Sequence, residues 1–476
     1  MSEKPEPKAP ESEKPKLVLE DPIHREGRID GLSYQIETGR MPLYDDKQEV
    51  AAGVFYMAYT VPSETPRPLM FSFNGGPGSP SLWLHLGAVG PKRVQMQPDG
   101  QMPPPPFRLV DNPHTWLHHT DLVFIDPIGT GFSRARTEEE MAKYWGVKAD
   151  IESVGEFIRL YITRHSRWNS PLYLVGESYG TTRAAGLAGH LVDRGITFNG
   201  IVLVSSILNF QTARFSKGND APYVLFLPTY TASAFYHKKL DRRLQSNLKR
   251  TLAEVEKFAM GEYTLALAKG SRLTGKERAH IRSMVSKFTG LREDYVESRD
   301  LRINIHAFCK ELLRTEKRTV GRLDSRFKGI DANAAGENME HDPSMSALMP
   351  PYNSMFNQYV RTELGYETDL EYSMFGKIWG KWDWGSAGEG HPDTSEALRA
   401  AMSKNPYTKV YIASGYYDLA TPYFATEYTV DHLGLDPTLR ANITTGYYEA
   451  GHMMYIHEPS LEQLASEIGT FMRESV

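Results

Sequence analysis

The stretch Leu172-Tyr173-Leu174-Val175-Gly176-Glu177-Ser178-Tyr179-Gly180-Thr181 decides the fold. Its first four residues are apolar and bounded by a turn signal, the pattern of a buried strand. A helical pattern follows, from Thr181 to Arg194. Between them, Gly176 and Gly180 permit a sharp turn that pushes Ser178 outward. The helix N-terminus helps place backbone N–H groups towards that serine. Gly-x-Ser-x-Gly alone also occurs in glycine-rich βα turns with no chemistry. A strand before it and a helix after it make it a nucleophile turn.

Working outward, short apolar runs recur at Val54–Tyr59, Leu69–Phe73, Leu122–Ile125 and Ile201–Val204. Val147 to Arg164 reads as helix. Strands alternating with helices predict a mostly parallel central sheet flanked by helices on both faces. After about Phe210 the pattern becomes helical and more polar until about Thr394. In this span Leu248, Leu252, Val255 and Ala259 share one helical face, and Thr274 with Glu277 forms a capping box. Sheet punctuation returns at Val410–Ala413 and Asn442–Thr445, and a last helix runs from about Ser460 to Arg473. The predicted organisation is a tail at 1–25, a first core part at 26–210, a helical lid or cap insertion at 211–394, and a second core part at 395–476.

A nucleophilic serine needs a base, and in this kind of sheet the acid and then the histidine follow it in the chain. Asp418 stands just after a late strand, in Gly415-Tyr416-Tyr417-Asp418, and His452 follows in Ala450-Gly451-His452-Met453. Either alone is an ordinary turn or loop residue. In this order after Ser178 they make a triad. Asn74-Gly75-Gly76-Pro77-Gly78 follows the Leu69–Phe73 strand and supplies a backbone N–H without side-chain obstruction. Tyr179, after the serine, supplies the second donor of an oxyanion hole. No Gly-Lys-Ser/Thr ending follows, which argues against a phosphate loop. His457-Glu458 lacks a second histidine, so no metal or other cofactor is read.

Three stretches together resemble the serine carboxypeptidase family, peptidase family S10. They are Asn74–Ser81, Phe124-Ile125-Asp126-Pro127-Ile128-Gly129-Thr130-Gly131-Phe132-Ser133, and Gly176–Gly180. Gly451-His452-Met453 is similar too. The resemblance covers roughly Ile36 to Leu203 and Tyr407 to Phe471. It implies an α/β-hydrolase fold and a serine-type carboxypeptidase that cuts peptides at a free C-terminus through an acyl-enzyme. It implies Ser178, Asp418 and His452 as the triad, with Gly76 and Tyr179 as oxyanion donors. Asn74, Gly75 and Glu177 would bind the substrate's terminal carboxylate, and Met453 would lie beside the leaving residue. The family pairs two glutamates that share a proton, because two bare carboxylates repel. Here the second glutamate's place falls on Ala88. The family's tryptophan before the Asn is Ser72, and its cysteine after Pro-Gly is Ser79. These departures spare the triad but alter the carboxylate site. An esterase or acyltransferase on the same scaffold is therefore the alternative, with a non-catalytic binding protein behind it.

The 476 residues exceed what one compact domain usually holds. Hydrophobic residues make up 40% and charged residues 24%, as in globular proteins. A net charge of −5 supplies no basic excess for nucleic acid. Cys309 is the single cysteine, which excludes an internal disulfide. No apolar run is long enough for a membrane span. The Pro/Glu/Lys-rich start to about Lys16 has no apolar signal core. As written it predicts a cytoplasmic chain, or a secreted or periplasmic one if a leader has been removed. A homodimer stays open. The aromatic cluster Trp379, Trp382 and Trp384 reads as packing.

Overall fold

A computed structural model of the chain describes residues 17–378, 380–385 and 391–475. Trp379 and most of the expected tail lie outside the described residues. The sheet strands are β1 (Ile23–Ile29), β2 (Leu32–Tyr44), β3 (Val50–Thr60), β4 (Leu69–Phe73), β5 (Asp121–Ile125), β6 (Arg134–Ala135), β7 (Leu172–Glu177), β8 (Gly200–Val204), β9 (Lys409–Gly415) and β10 (Ile443–Tyr448). They form one ten-stranded sheet in the order β1-β2-β3-β5-β4-β7-β8-β9-β10, with β6 beside β3. From β5 to β10 the neighbours are parallel, while β1, β2, β3 and β6 add an antiparallel side.

The parallel strands are buried on both faces, so they read as continuous apolar runs. Every residue of β4, β5, β7 and β8 is buried. On one face, β4, β7 and β8 pack against helices Val147–Arg164 and Tyr179–Val192 through Phe157, Ile158, Leu187 and Leu191. On the other face lie helix Glu458–Glu474 and the insertion helix Pro343–Gln358. Each fully buried Leu, Ile or Phe here contributes about 1.5–3 kcal/mol.

Two expectations need correction. The tail does not run to residue 25, because β1 begins at Ile23. That strand is mostly exposed, so no apolar run marks it; its ladder to residues 32–38 holds it. The helix after the serine starts at Tyr179 rather than Thr181, with Ser178 itself at the N-cap.

Between β8 and β9 the chain leaves the sheet and forms helices Ala221–Tyr236, Leu248–Phe258, Gly275–Thr289, Ile305–Glu311 and Pro343–Gln358. This insertion has its own core, built on Leu252, Val255, Phe288 and Phe308. Thr274 and Glu277 close a reciprocal capping box at one helix start. A two-stranded hairpin, Thr319–Val320 with Lys328–Gly329, projects from it.

Candidate active site

At the C-terminal end of β7 the backbone turns through Ser178 with φ 59° and ψ −128°. A non-glycine residue there costs on the order of 1–3 kcal/mol, a strain typical of functional turns. The flanking glycines are sterically required. A Cβ on Gly176 would sit 2.2 Å from the Gly180 carbonyl oxygen, and one on Gly180 would sit 2.9 Å from the Phe73 oxygen. The turn is pinned when Ser178 N–H donates to Val204 O at 3.0 Å.

Asp418 and His452 meet although they follow different strands. Asp418 accepts from His452 Nδ1 at 2.7 Å, from Thr421 Oγ1 at 2.7 Å, and from the Ala420 and Thr421 N–H groups. Asp418 is fully buried and His452 nearly so. With Nδ1 engaged by the carboxylate, Nε2 is the nitrogen left to take a proton. Burial disfavours protonated His452, but the charge and hydrogen bond of Asp418 outweigh it and raise the imidazole above its ordinary 6.5.

Gly75 lies directly against the serine turn. A Cβ on it would meet Tyr179 N at 2.4 Å and Gly180 N at 2.7 Å. Gly76 follows with φ +102°. Gly75 therefore brings bare backbone beside the N–H of Tyr179, and Gly76 turns the chain back over the N–H groups of Gly78 and Ser79. Asn74 accepts Leu84 N–H on Oδ1 at 3.0 Å, and its carbonyl accepts from Arg183 Nη1 at 2.7 Å. Arg183 is paired with Asp150 at 2.8 Å, both buried, and the Tyr179 hydroxyl donates to the same carboxylate. This network braces the glycine loop and the start of the serine helix from below. Trp382 and Trp384 pack edge-on against Tyr179, at ring distances of 5.4 and 6.1 Å.

Glu177 is buried beside the serine. Burial pushes its carboxyl from 4.5 up to about 7, against the pull of the His452 charge. Its Oε2 accepts from the Tyr455 hydroxyl at 2.5 Å. Ala88 is buried in the turn-rich helix His85–Val89 and brings no carboxyl. Its neighbour Gly87 makes room instead: a Cβ there would be 2.4 Å from the Tyr455 ring and 2.8 Å from the Tyr352 hydroxyl. Two phenols thus crowd this stretch of helix. Ser79 accepts from the Trp83 indole at 2.8 Å, and Ser72 is fully buried. Met453 is buried in the core beside the His452 loop.

Sequence reasoning missed Tyr455, Thr421, Arg183 and Asp150. None carries a spacing signal, since each acts through a tertiary contact. Among the described residues no group of three or more His, Cys, Asp or Glu could hold a metal ion, and no helix is long and apolar enough to cross a membrane.

A serine on a strained strand-to-helix turn with bare backbone beside it, followed in the chain by a carboxylate-held imidazole, defines an α/β-hydrolase. Residues 37–463 match the serine carboxypeptidase family model, and the chain belongs to that family. Serine carboxypeptidase-like 5 of Arabidopsis thaliana is 27% identical over 151 residues, 31% of this chain and 33% of the relative. Retinoid-inducible serine carboxypeptidase of Mus musculus is 30% identical over 152 residues, 29% of each. The chain thus spans about a third of the length of the curated relatives it matches. The fold resembles that of Kex1(delta)p, a prohormone-processing carboxypeptidase from Saccharomyces cerevisiae. The TM-score is 0.58 at 16% identity, covering 92% of this chain and 91% of that one.

Proposed function

We propose that this protein is a serine carboxypeptidase acting on peptides with a free C-terminus. The observation that carries the reading is Glu177, a buried carboxyl held near neutrality next to the serine. In its protonated form it can donate to a substrate carboxylate, which an ionised glutamate would repel.

The chemistry follows from the side chains. Ser178 Oγ attacks the last peptide carbonyl as His452 Nε2 takes its proton. Asp418 holds the imidazole orientation and stabilises its charge. The N–H groups of Gly76 and Tyr179 receive the oxyanion, and one such donor is worth roughly 3–4 kcal/mol. His452 then protonates the departing amine, leaving the acyl group on Ser178. Water, deprotonated by His452, releases the shortened peptide and regenerates the serine.

Two measurements test this. Ser178→Ala keeps the fold and abolishes hydrolysis; full activity in that variant overturns the triad. A peptide is cleaved faster than its C-terminal amide; equal rates overturn carboxylate recognition. The lack of a carboxyl at Ala88 favours, as second reading, an esterase or acyltransferase on the same triad. Equal cleavage of peptide and amide together with rapid ester turnover would support it.

A further inference from the structure

The hairpin of the helical insertion ends in the turn Arg322–Arg326, which reaches onto both loops that carry the acid and the base. Arg322 O accepts from Leu419 N–H at 3.0 Å, one residue beyond Asp418. Ser325 N–H donates to Tyr417 O at 3.0 Å, one residue before it. Leu323 O accepts from the N–H of His452 itself at 2.6 Å. Asp324 Oδ2 accepts from Gly451 N–H at 3.1 Å. The approach is so close that a Cβ on Gly451 would lie 2.4 Å from the Asp324 Cβ and 2.5 Å from Leu323 O.

The turn is itself held from behind. Arg326 grips the Asp324 carboxylate, with Nη2 on Oδ2 at 2.6 Å and Nε on Oδ1 at 3.0 Å, and both residues are buried. Asp342 accepts the Arg322 and Leu323 N–H groups, each at 3.2 Å. Ser325 is tied to the insertion helix through Ser233 Oγ at 2.6 Å. On the far side, Ser205 Oγ donates to His452 O at 2.5 Å. The His452 peptide is therefore gripped at both ends, once by the insertion and once by the sheet. A buried ion pair is weak evidence for stability, since apolar packing often does as well. Its value here is geometric, because it fixes one carboxylate oxygen under Gly451.

We propose that Asp324, locked by Arg326, is a positioning residue for His452, so that the insertion is part of the catalytic centre rather than only a cover over it. The proposal rests on reading Ser178, Asp418 and His452 as the triad. Displacing a base by about an ångström can cost on the order of 100-fold in rate.

The test compares Asp324→Asn and Asp324→Ala with the parent, all well below their melting temperatures. The readouts are the rate of Ser178 labelling by a fluorophosphonate, and kcat and KM on a peptide. Labelling and kcat are expected to fall about tenfold or more, with alanine worse than asparagine, while KM holds. Lys310→Met is the control. It breaks another buried pair of the insertion, with Asp331, and the lysine's partners Asp331 and Asn333 both belong to the insertion. It is expected to lower stability and leave labelling at the parental rate. A folded Asp324 variant that labels like the parent overturns the proposal, as does Lys310→Met slowing labelling equally. Retained hydrolysis in Ser178→Ala would instead sink the triad reading, a separate outcome.

Discussion

Replacing Tyr455 by phenylalanine isolates one hydrogen bond to Glu177. Glu177 sits at about 7 against an ordinary 4.5, so its environment disfavours the charged form by about 3 kcal/mol. The Tyr455 hydroxyl opposes that cost by donating to Oε2. It keeps its own proton, because burial and the Glu177 charge push the phenol well above its ordinary value. A hydrogen bond to a charged group is worth about 1.5–3 kcal/mol, so its loss raises Glu177 by about 1–2 pH units. The phenylalanine ring still fills the space that Gly87 leaves.

If protonated Glu177 binds the substrate carboxylate, kcat/KM falls on the alkaline side as Glu177 ionises. On the acid side it falls as His452 takes its proton, above the ordinary imidazole value. The parent profile is then a narrow bell near neutrality, whose limbs belong to a coupled pair. Tyr455→Phe moves the alkaline limb upward by about 1–2 units and broadens the bell. Glu177→Gln removes that limb altogether. The assay is kcat/KM for a blocked dipeptide with a free C-terminus, with its amide as comparison. An alkaline limb that stays in place or moves down in Tyr455→Phe refutes the reasoning, and so does one that persists in Glu177→Gln.

Two further outcomes follow from the geometry. Gly75→Ala puts a methyl against the backbone of Tyr179, Glu177 and Gly180, so fluorophosphonate labelling of Ser178 should drop by about 100-fold or more, and near-parental labelling would contradict the placement of the glycine loop. Asp126 is raised by burial from 3.8 to about 7, so stability it contributes at low pH is lost as pH rises from about 4 through 7. Asp126→Asn stays neutral throughout, and keeps an acceptor for Ser81 N–H. Relative to the parent it should therefore gain about 4 kcal/mol in urea unfolding between about pH 4 and pH 8, and a constant offset would refute this.

The serine turn was readable because its geometry demands particular residues at fixed spacing. Only glycine fits at 176 and 180, so the sequence displays the steric problem directly. The parallel strands were readable as unbroken apolar runs. Strand β1 carried a weaker signal, because most of its residues are exposed and a backbone ladder holds it, and β2 interleaves its buried residues with partly exposed polar ones instead of forming an unbroken apolar run. Asp418 and His452 could be chosen only because chain order after Ser178 narrows the field. Tyr455 and Asp324 were out of reach. Each acts on a residue distant in sequence, Glu177 in one case and Gly451 in the other, and no local pattern encodes such a meeting. The loss at Ala88 was visible, but not what fills the space beside it.

The insertion has a consequence for the order in which the protein becomes competent. Ser178 and the glycine loop precede it in the chain, whereas Asp418 and His452 come after it, on loops that are hydrogen-bonded to it. A chain emerging from the ribosome acquires its nucleophile turn early and its base last. On the proposed triad, the serine gains its base only once the hairpin turn has docked and β10 has joined the sheet. Hydrolytic competence would then arrive with the last part of the chain to fold rather than with the serine itself.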